Sequence, residues 1–134
     1  MTIVAGIDVQ SIDEVEDSLA RFGDRYRKKF FSDNELEECE ENHEIIAQGL
    51  ALRFAAKEAV LKVLRPNDRI PSWRTIEVRL PLRGAPTIVL TGEADDDARR
   101  CGIENISLSV SLARGYAIAT VLAVVSRNAV EEHL

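Results

Sequence analysis

The chain has 134 residues, with 17 Lys and Arg against 23 Asp and Glu, a formal net charge of −6 and 46% apolar residues. So much apolar material suits one packed domain spanning 1–134 and excludes a disordered tail, while the acidic balance argues against a nucleic-acid partner. The longest uncharged run, Gly115 to Ser126, has 12 residues, too few for the ~20 of a membrane-spanning helix.

Residues 2–9 read as a short apolar strand that includes Asp8. Ser11-Ile12-Asp13-Glu14 then matches a capping box, so a helix starts there. Arg25-Tyr26-Arg27-Lys28-Lys29, beside Phe30-Phe31, is a solvated helix face next to two core aromatics, which we favour over an RNA patch. Ser32-Asp33-Asn34-Glu35 repeats the capping pattern and predicts a helix from about 33 to 42. A longer helix covers roughly 44–64 and stops before Pro66, which cannot sit in a helix interior. Arg65 to Ser72 is a loop by composition.

Beyond it the period changes to two. Ile76, Val78 and Leu80 alternate with Glu77 and Arg79, as in a half-buried strand. Arg83-Gly84-Ala85-Pro86 is a turn into the strand Thr87–Leu90, and Thr91 caps a helix to about 101 that Gly102 ends. Ile106 to Val110 alternates again. Ala117 to Val125 is nearly continuous in apolar residues, as a central strand is. The fold class is α+β, with helices in the first half and mostly antiparallel strands in the second. Two cysteines, Cys39 and Cys101, form neither a disulfide framework nor a metal-ligand spacing. No basic residue precedes the first apolar stretch, so no secretory signal is expected and the cytoplasm is the expected compartment.

The segment richest in chemistry is Leu50 to Leu64. Its apolar residues surround nearly the whole helical circumference, so the helix is mostly buried. Its charged residues, Arg53, Lys57, Glu58 and Lys62, must be paired, lie at a mouth or serve a ligand, because an unpaired buried charge is very costly. Glu58 and Lys62 share a stripe four residues apart, bordered by Phe54 and by small Ala51, Ala55 and Ala59. An ordinary helix pair and a ligand site remain equally open for them. Asp8 either caps the following helix or holds a hard cation together with a second carboxylate. Magnesium typically takes one or two protein carboxylates, with waters and phosphate oxygens completing its shell. His43 and His133 lie in polar surroundings as solvated residues, and Trp73 covers a core edge.

Gly6-Ile7-Asp8, Phe31-Ser32-Asp33-Asn34-Glu35 and above all Arg53-Phe54-Ala55-Ala56-Lys57-Glu58-Ala59-Val60-Leu61-Lys62 resemble the holo-acyl-carrier-protein synthase family. These are small 4′-phosphopantetheinyl transferases. Gly84-Ala85-Pro86 and Ser109-Val110-Ser111 before Tyr116 fit the later part of the same pattern, so the resemblance runs along the whole chain. It implies a homotrimer with sites between subunits, and Mg2+ held by Asp8 and Glu58 against the pyrophosphate of coenzyme A. The serine of an acyl carrier protein would attack the β-phosphate, with Glu58 or a metal-linked water taking its proton and Lys62 steadying the departing 3′,5′-ADP. Arg53, Lys57, Lys62, Gly84, Pro86 and Ser111 would bind coenzyme A.

Two positions depart from the pattern. Leu112 stands where the family has a histidine, and Glu14 stands where it has an arginine that docks the carrier. Arg21 and Arg25, further along the first helix, would then serve the carrier. A relative with a changed or lost activity is the alternative that these departures raise.

Overall fold

A computed structural model describes residues 1–126. In chain order it comprises β1 (Thr2–Ser11), α1 (Ile12–Phe22), α2 (Asp24–Phe30), α3 (Asp33–Glu41), α4 (Ile46–Leu64), a 3-10 turn (Trp73–Thr75), β2 (Ile76–Arg79), β3 (Thr87–Leu90), α5 (Gly92–Arg100), β4 (Ile103–Ala113) and β5 (Tyr116–Val125). The α+β expectation holds. The expected strand over 106–110 extends three residues further at each end, and the expected first strand continues to Ser11.

Both capping signals act. The Ser11 hydroxyl accepts from the Glu14 amide, and at Ser32 the box is reciprocal, with the Glu35 carboxylate accepting from the Ser32 amide. Thr91 occupies its cap position without a side-chain hydrogen bond. Helix α2 carries the basic run read from the sequence as a solvated helix face. Gly23, at φ 52, breaks it from α1, and Arg27, Lys28 and Lys29 fall in its last turn, where positive charge meets the carbonyl end favourably. The other face of α2 turns Tyr26 and Phe30 inward. Phe30 packs edge-on against Phe54 and lies 5.8 Å from Trp73, which covers the core edge as expected.

The strands form a three-stranded antiparallel sheet in the order β1-β5-β4, with a separate antiparallel pair β2-β3. The apolar run of β5 is the central strand. Its buried side chains Ala117, Ala119, Val121, Ala123 and Val125 face α4, but the alternate face is apolar as well, and Leu122 is 47% exposed there. On β1, Ile3, Ile7 and Val9 lie more than half exposed on that same outer face. No described helix is long and apolar enough to cross a membrane.

Helix α4 lies against β1 and β5 through its small residues, and Ala51, Ala55, Ala56 and Ala59 are fully buried. Two of its charges are buried with it. Lys57, fully buried, donates to Glu35 Oε1 at 2.7 Å, to the Trp73 carbonyl at 2.9 Å and to the Ile76 carbonyl. Glu35 in turn accepts from the Val78 amide at 3.1 Å, so one ion pair ties α3, α4 and β2 together. Burial pulls the Lys57 ammonium down and the Glu35 carboxylate opposes it. Removing one partner leaves the other charge buried alone, which typically costs 3–5 kcal/mol. Lys57→Met is therefore expected to lose about 3–5 kcal/mol in chemical denaturation, and Glu35→Gln added to it should return part of that loss.

Candidate active site

The site is built where β1 lies along α4. Two residues of strand advance about 6.6 Å and four residues of helix about 6.0 Å, so alternate residues of one can keep step with successive turns of the other. Three such steps occur. Gly6 meets α4 at Ala59 and Lys62, where an added Cβ would sit 2.2 Å from the Ala59 carbonyl oxygen. Asp8 comes next, close enough to Glu58 to act on its ionisation. Gln10 and Phe54 follow, both lining one cavity.

Lys62 does not serve as a simple helix partner of Glu58. It reaches across to β1, donating to the Ile7 carbonyl at 2.5 Å and lying 3.5 Å from Asp8 Oδ1. Its side chain remains 52% exposed, so the ammonium stands at the mouth. Burial, and then the charge of Asp8, push the Glu58 carboxyl above the usual carboxylate range, with Lys62 opposing them. The fold thus holds two carboxylates together against their mutual repulsion, beside one accessible ammonium.

Among the described residues no group of three or more His, Cys, Asp or Glu could hold a metal ion. Two neighbouring carboxylates beside a half-exposed ammonium suit a hard cation that keeps its waters and takes substrate phosphate oxygens as further ligands. The residues fit.

Two expected coenzyme A ligands are corrected. Arg53 and Lys57 are fully buried. The Arg53 guanidinium donates to Glu38 at 2.8 Å, to both oxygens of Glu44 at 2.9 Å and to the Gly49 carbonyl at 3.0 Å. Both cations point off the sides of α4 that face α3, where carboxylates already pair with them, so neither reaches a ligand at the mouth. The other two charges of the helix, Glu58 and Lys62, do lie there.

Ser111 is also not brought to Asp8. The register pairs Asp8 with Ala119 and Ala119 with Val110, so these three share the face toward α4. Ser111, opposite Ile118, points from the outer face. Gly84 (φ 110) and Pro86 lie in the connection between β2 and β3, on the other sheet. Leu112, 45% exposed, is level with Ala117 and Gln10 on the Asp8 face, so the departure from the histidine pattern falls on the side of the site. His43 is exposed with φ 53, as expected for a solvated turn residue, and His133 lies outside the described residues.

The reading from sequence missed a cavity of about 500 Å³ beside this ladder. Its apolar wall includes Val15, Phe22, Tyr26, Phe30 and Phe54. Gln10, Glu14, Arg25 and Lys29 supply its polar lining, so the rim is acidic toward α1 and basic toward α2. Arg21 is not among these residues and pairs instead with Asp17 at 3.2 Å on the surface. The aromatic spacing Tyr26, Phe30, Phe54 carried the signal, but only packing of α1 and α2 against α4 makes it concave.

Two outcomes follow from the ladder. Gly6→Ala drives a methyl into a backbone carbonyl that cannot turn aside. It should cost about 1–3 kcal/mol of stability in denaturant titrations, as overpacking does, and should widen the Asp8 to Glu58 spacing in a crystal structure. For Glu58 the sign is opposite. A raised carboxyl pKa in the fold means that its ionised form costs stability, a cost present at neutral pH and relieved as pH falls through that pKa. Glu58→Gln should therefore melt higher than wild type at pH 7, and the gap should close as pH falls toward the ordinary carboxylate range.

The chain resembles known proteins along nearly its whole length. Residues 5–121 match the 4′-phosphopantetheinyl transferase superfamily. A holo-[acyl-carrier-protein] synthase of Dehalococcoides mccartyi is 38% identical over 122 residues, covering 90% of this chain and 98% of the relative. One of Vibrio cholerae is 37% identical over 125 residues, covering 91% and 97%. Among solved structures, the Helicobacter pylori holo-[acyl-carrier-protein] synthase in complex with coenzyme A superposes with a TM-score of 0.74 at 31% identity, covering 90% of this chain and all of the other. The Chronobacterium ammoniagenes complex with coenzyme A gives 0.81 at 29% identity, covering 95% of this chain and all of that one. With the Gly6-Asp8-Glu58-Lys62 arrangement in place and these relatives spanning it, the chain belongs to the 4′-phosphopantetheinyl transferase superfamily.

Proposed function

We propose that this protein is a holo-acyl-carrier-protein synthase that moves 4′-phosphopantetheine from coenzyme A to a serine of an apo acyl carrier protein, with Mg2+ held by Asp8 and Glu58. The observation that carries the reading is the nearness of Asp8 and Glu58, close enough for the charge of one to act on the other, with the half-exposed Lys62 beside Asp8. Bound there, Mg2+ supplies neutralisation of the pyrophosphate charge. The protein's own groups do the rest. Lys62 places a positive charge where the 3′,5′-ADP leaving group develops its negative charge. Phosphoryl transfer draws most of its acceleration from such positioning and charge stabilisation. Glu58, the second carboxylate of the pair, is the group placed to accept a proton there. It takes the serine proton as the serine oxygen bonds to the β-phosphorus and the bond from that phosphorus to the bridging oxygen breaks.

The cavity between α1, α2 and α4 supports a docking place for the carrier. It adjoins the ladder through Gln10 and Phe54, and Arg25 and Lys29 line it. Glu14 on the same rim makes a carrier of uniformly acidic surface a poorer fit, since like charges across an interface slow encounter. This supports a narrow carrier preference. Leu112 supports weaker coenzyme A binding than a histidine there would provide, by roughly ten- to a hundredfold if one polar contact is lost. It leaves Asp8, Glu58 and Lys62 intact, which favours a retained reaction over a lost one.

The exposed apolar face of β1 and β5, with Ile3, Ile7, Val9 and Leu122 between 47% and 57% exposed, supports assembly into a homotrimer through that face. Ser111 shares it. In such an assembly Ser111, with Gly84 and Pro86, would serve the coenzyme A site of a neighbouring subunit, a reading that their placement away from Asp8 within one chain supports.

The test is transfer itself. Incubated with coenzyme A, Mg2+ and a panel of apo carriers, the protein should add one phosphopantetheine to at least one carrier, read by mass spectrometry. Glu58→Gln should abolish the increment, or reduce it at least a hundredfold, while remaining folded. An equal rate in that variant would refute the site.

A further inference from the structure

The proposed reaction uses Asp8, Glu58 and Lys62 and leaves Gln10 with no part in it. Yet Gln10 is the next residue of the same ladder, and its Nε2 donates to Asp8 Oδ2 at 3.1 Å. The other Asp8 oxygen, Oδ1, faces the Lys62 ammonium at 3.5 Å. The carboxylate is thus held from two sides, by a neutral amide on one oxygen and a cation beside the other. Side chains two apart on a strand stand about 6.6 Å apart at their roots, so this bond forms only if the longer one folds back along the strand. The neighbouring strand leaves room for it. Opposite Asp8 is Ala119 and opposite Gln10 is Ala117, both fully buried, and no larger side chain competes for the space between.

Resting on the metal-site reading above, we propose that Gln10 is a positioning residue that sets the rotation of the Asp8 carboxylate, so that its oxygens meet the cation in one orientation. The chemistry suits the task. A carboxylate free to rotate offers its oxygens to a metal in many orientations, and a hydrogen bond to one oxygen selects among them. The amide orients without neutralising. Metal-ligating carboxylates are typically held by such outer partners, whose loss costs ten- to a hundredfold in metal affinity.

Gln10 also lines the cavity beside α1 and α2, so an alternative is that it merely contacts whatever docks there. The experiment separates the two. Mn2+ is titrated into the full-length protein saturated with coenzyme A, and free Mn2+ is followed by electron paramagnetic resonance for wild type, Gln10→Met, Gln10→Leu and Asp8→Asn. Methionine keeps the length and removes the donor, and leucine does so with another shape, so a folding defect peculiar to one variant does not decide the result. Both variants are expected to bind Mn2+ about tenfold more weakly than wild type, with melting temperatures close to it. If both bind Mn2+ as tightly as wild type, or raise only the KM for the carrier, the positioning role is overturned while the metal site stands. If wild type binds no more Mn2+ than Asp8→Asn, the metal-site reading itself is overturned, and this role with it.

Discussion

Everything chemical in this protein depends on how closely one strand can approach one helix. At Gly6 the backbone of β1 lies so near the Ala59 carbonyl that no side chain fits between them. The alanines of α4 make the same allowance from the other side. Only because the two backbones meet there do Asp8 and Glu58, rooted on different elements, come within each other's field. Small residues here provide proximity rather than flexibility. The cost of that proximity is borne by Glu58, which the fold keeps in a setting that disfavours its ionised form.

Helix α4 shows how a buried helix can carry four charges. Two are resolved internally. The two terminal nitrogens of Arg53 are held by Glu38 and Glu44 from α3 and the connection after it, and Lys57 by Glu35 and two carbonyls around the 3-10 turn. These pairs bind the acidic α3 and the β2 region to the central helix. They fix the rotation of α4 about its axis, and with it the direction in which the remaining two charges point. Glu58 and Lys62 emerge at the mouth because Arg53 and Lys57 are anchored elsewhere. The buried pairs thus affect chemistry only indirectly, through the pose of the helix.

The cavity beside α1 and α2 gives the site a second, less polar neighbourhood with a rim split in sign. Its position follows from the same ladder, one step beyond Asp8 and Glu58. A strand that presents Gly6, Asp8 and Gln10 in succession delivers close packing, a carboxylate and an amide to three levels of one groove. The outer face of the same strand carries Ile3, Ile7 and Val9, so β1 is apolar toward solvent and chemical toward the helix.

Much of this was legible without coordinates. Capping residues Ser11 and Ser32 located helix starts because a cap is a local hydrogen bond between residues three apart. Alternation located the strands, and the wrap-around apolar pattern of residues 50–64 announced a buried helix whose charges needed partners. The ordered motifs from Gly6-Ile7-Asp8 to Tyr116 indicated the superfamily to which the chain belongs. What local pattern could not decide was which charge went where. Arg53 and Lys57 share a motif with Glu58 and Lys62, yet their carboxylate partners come from 9 to 22 residues away along the chain, and pairing at that range is set by packing. Nor could spacing tell that Ser111 faces away from Asp8, since that follows from strand register, or that Tyr26, Phe30 and Phe54 enclose a cavity, since concavity belongs to three helices together. Residue types and periods are properties of short stretches. A site is a property of surfaces that meet only after the chain has folded.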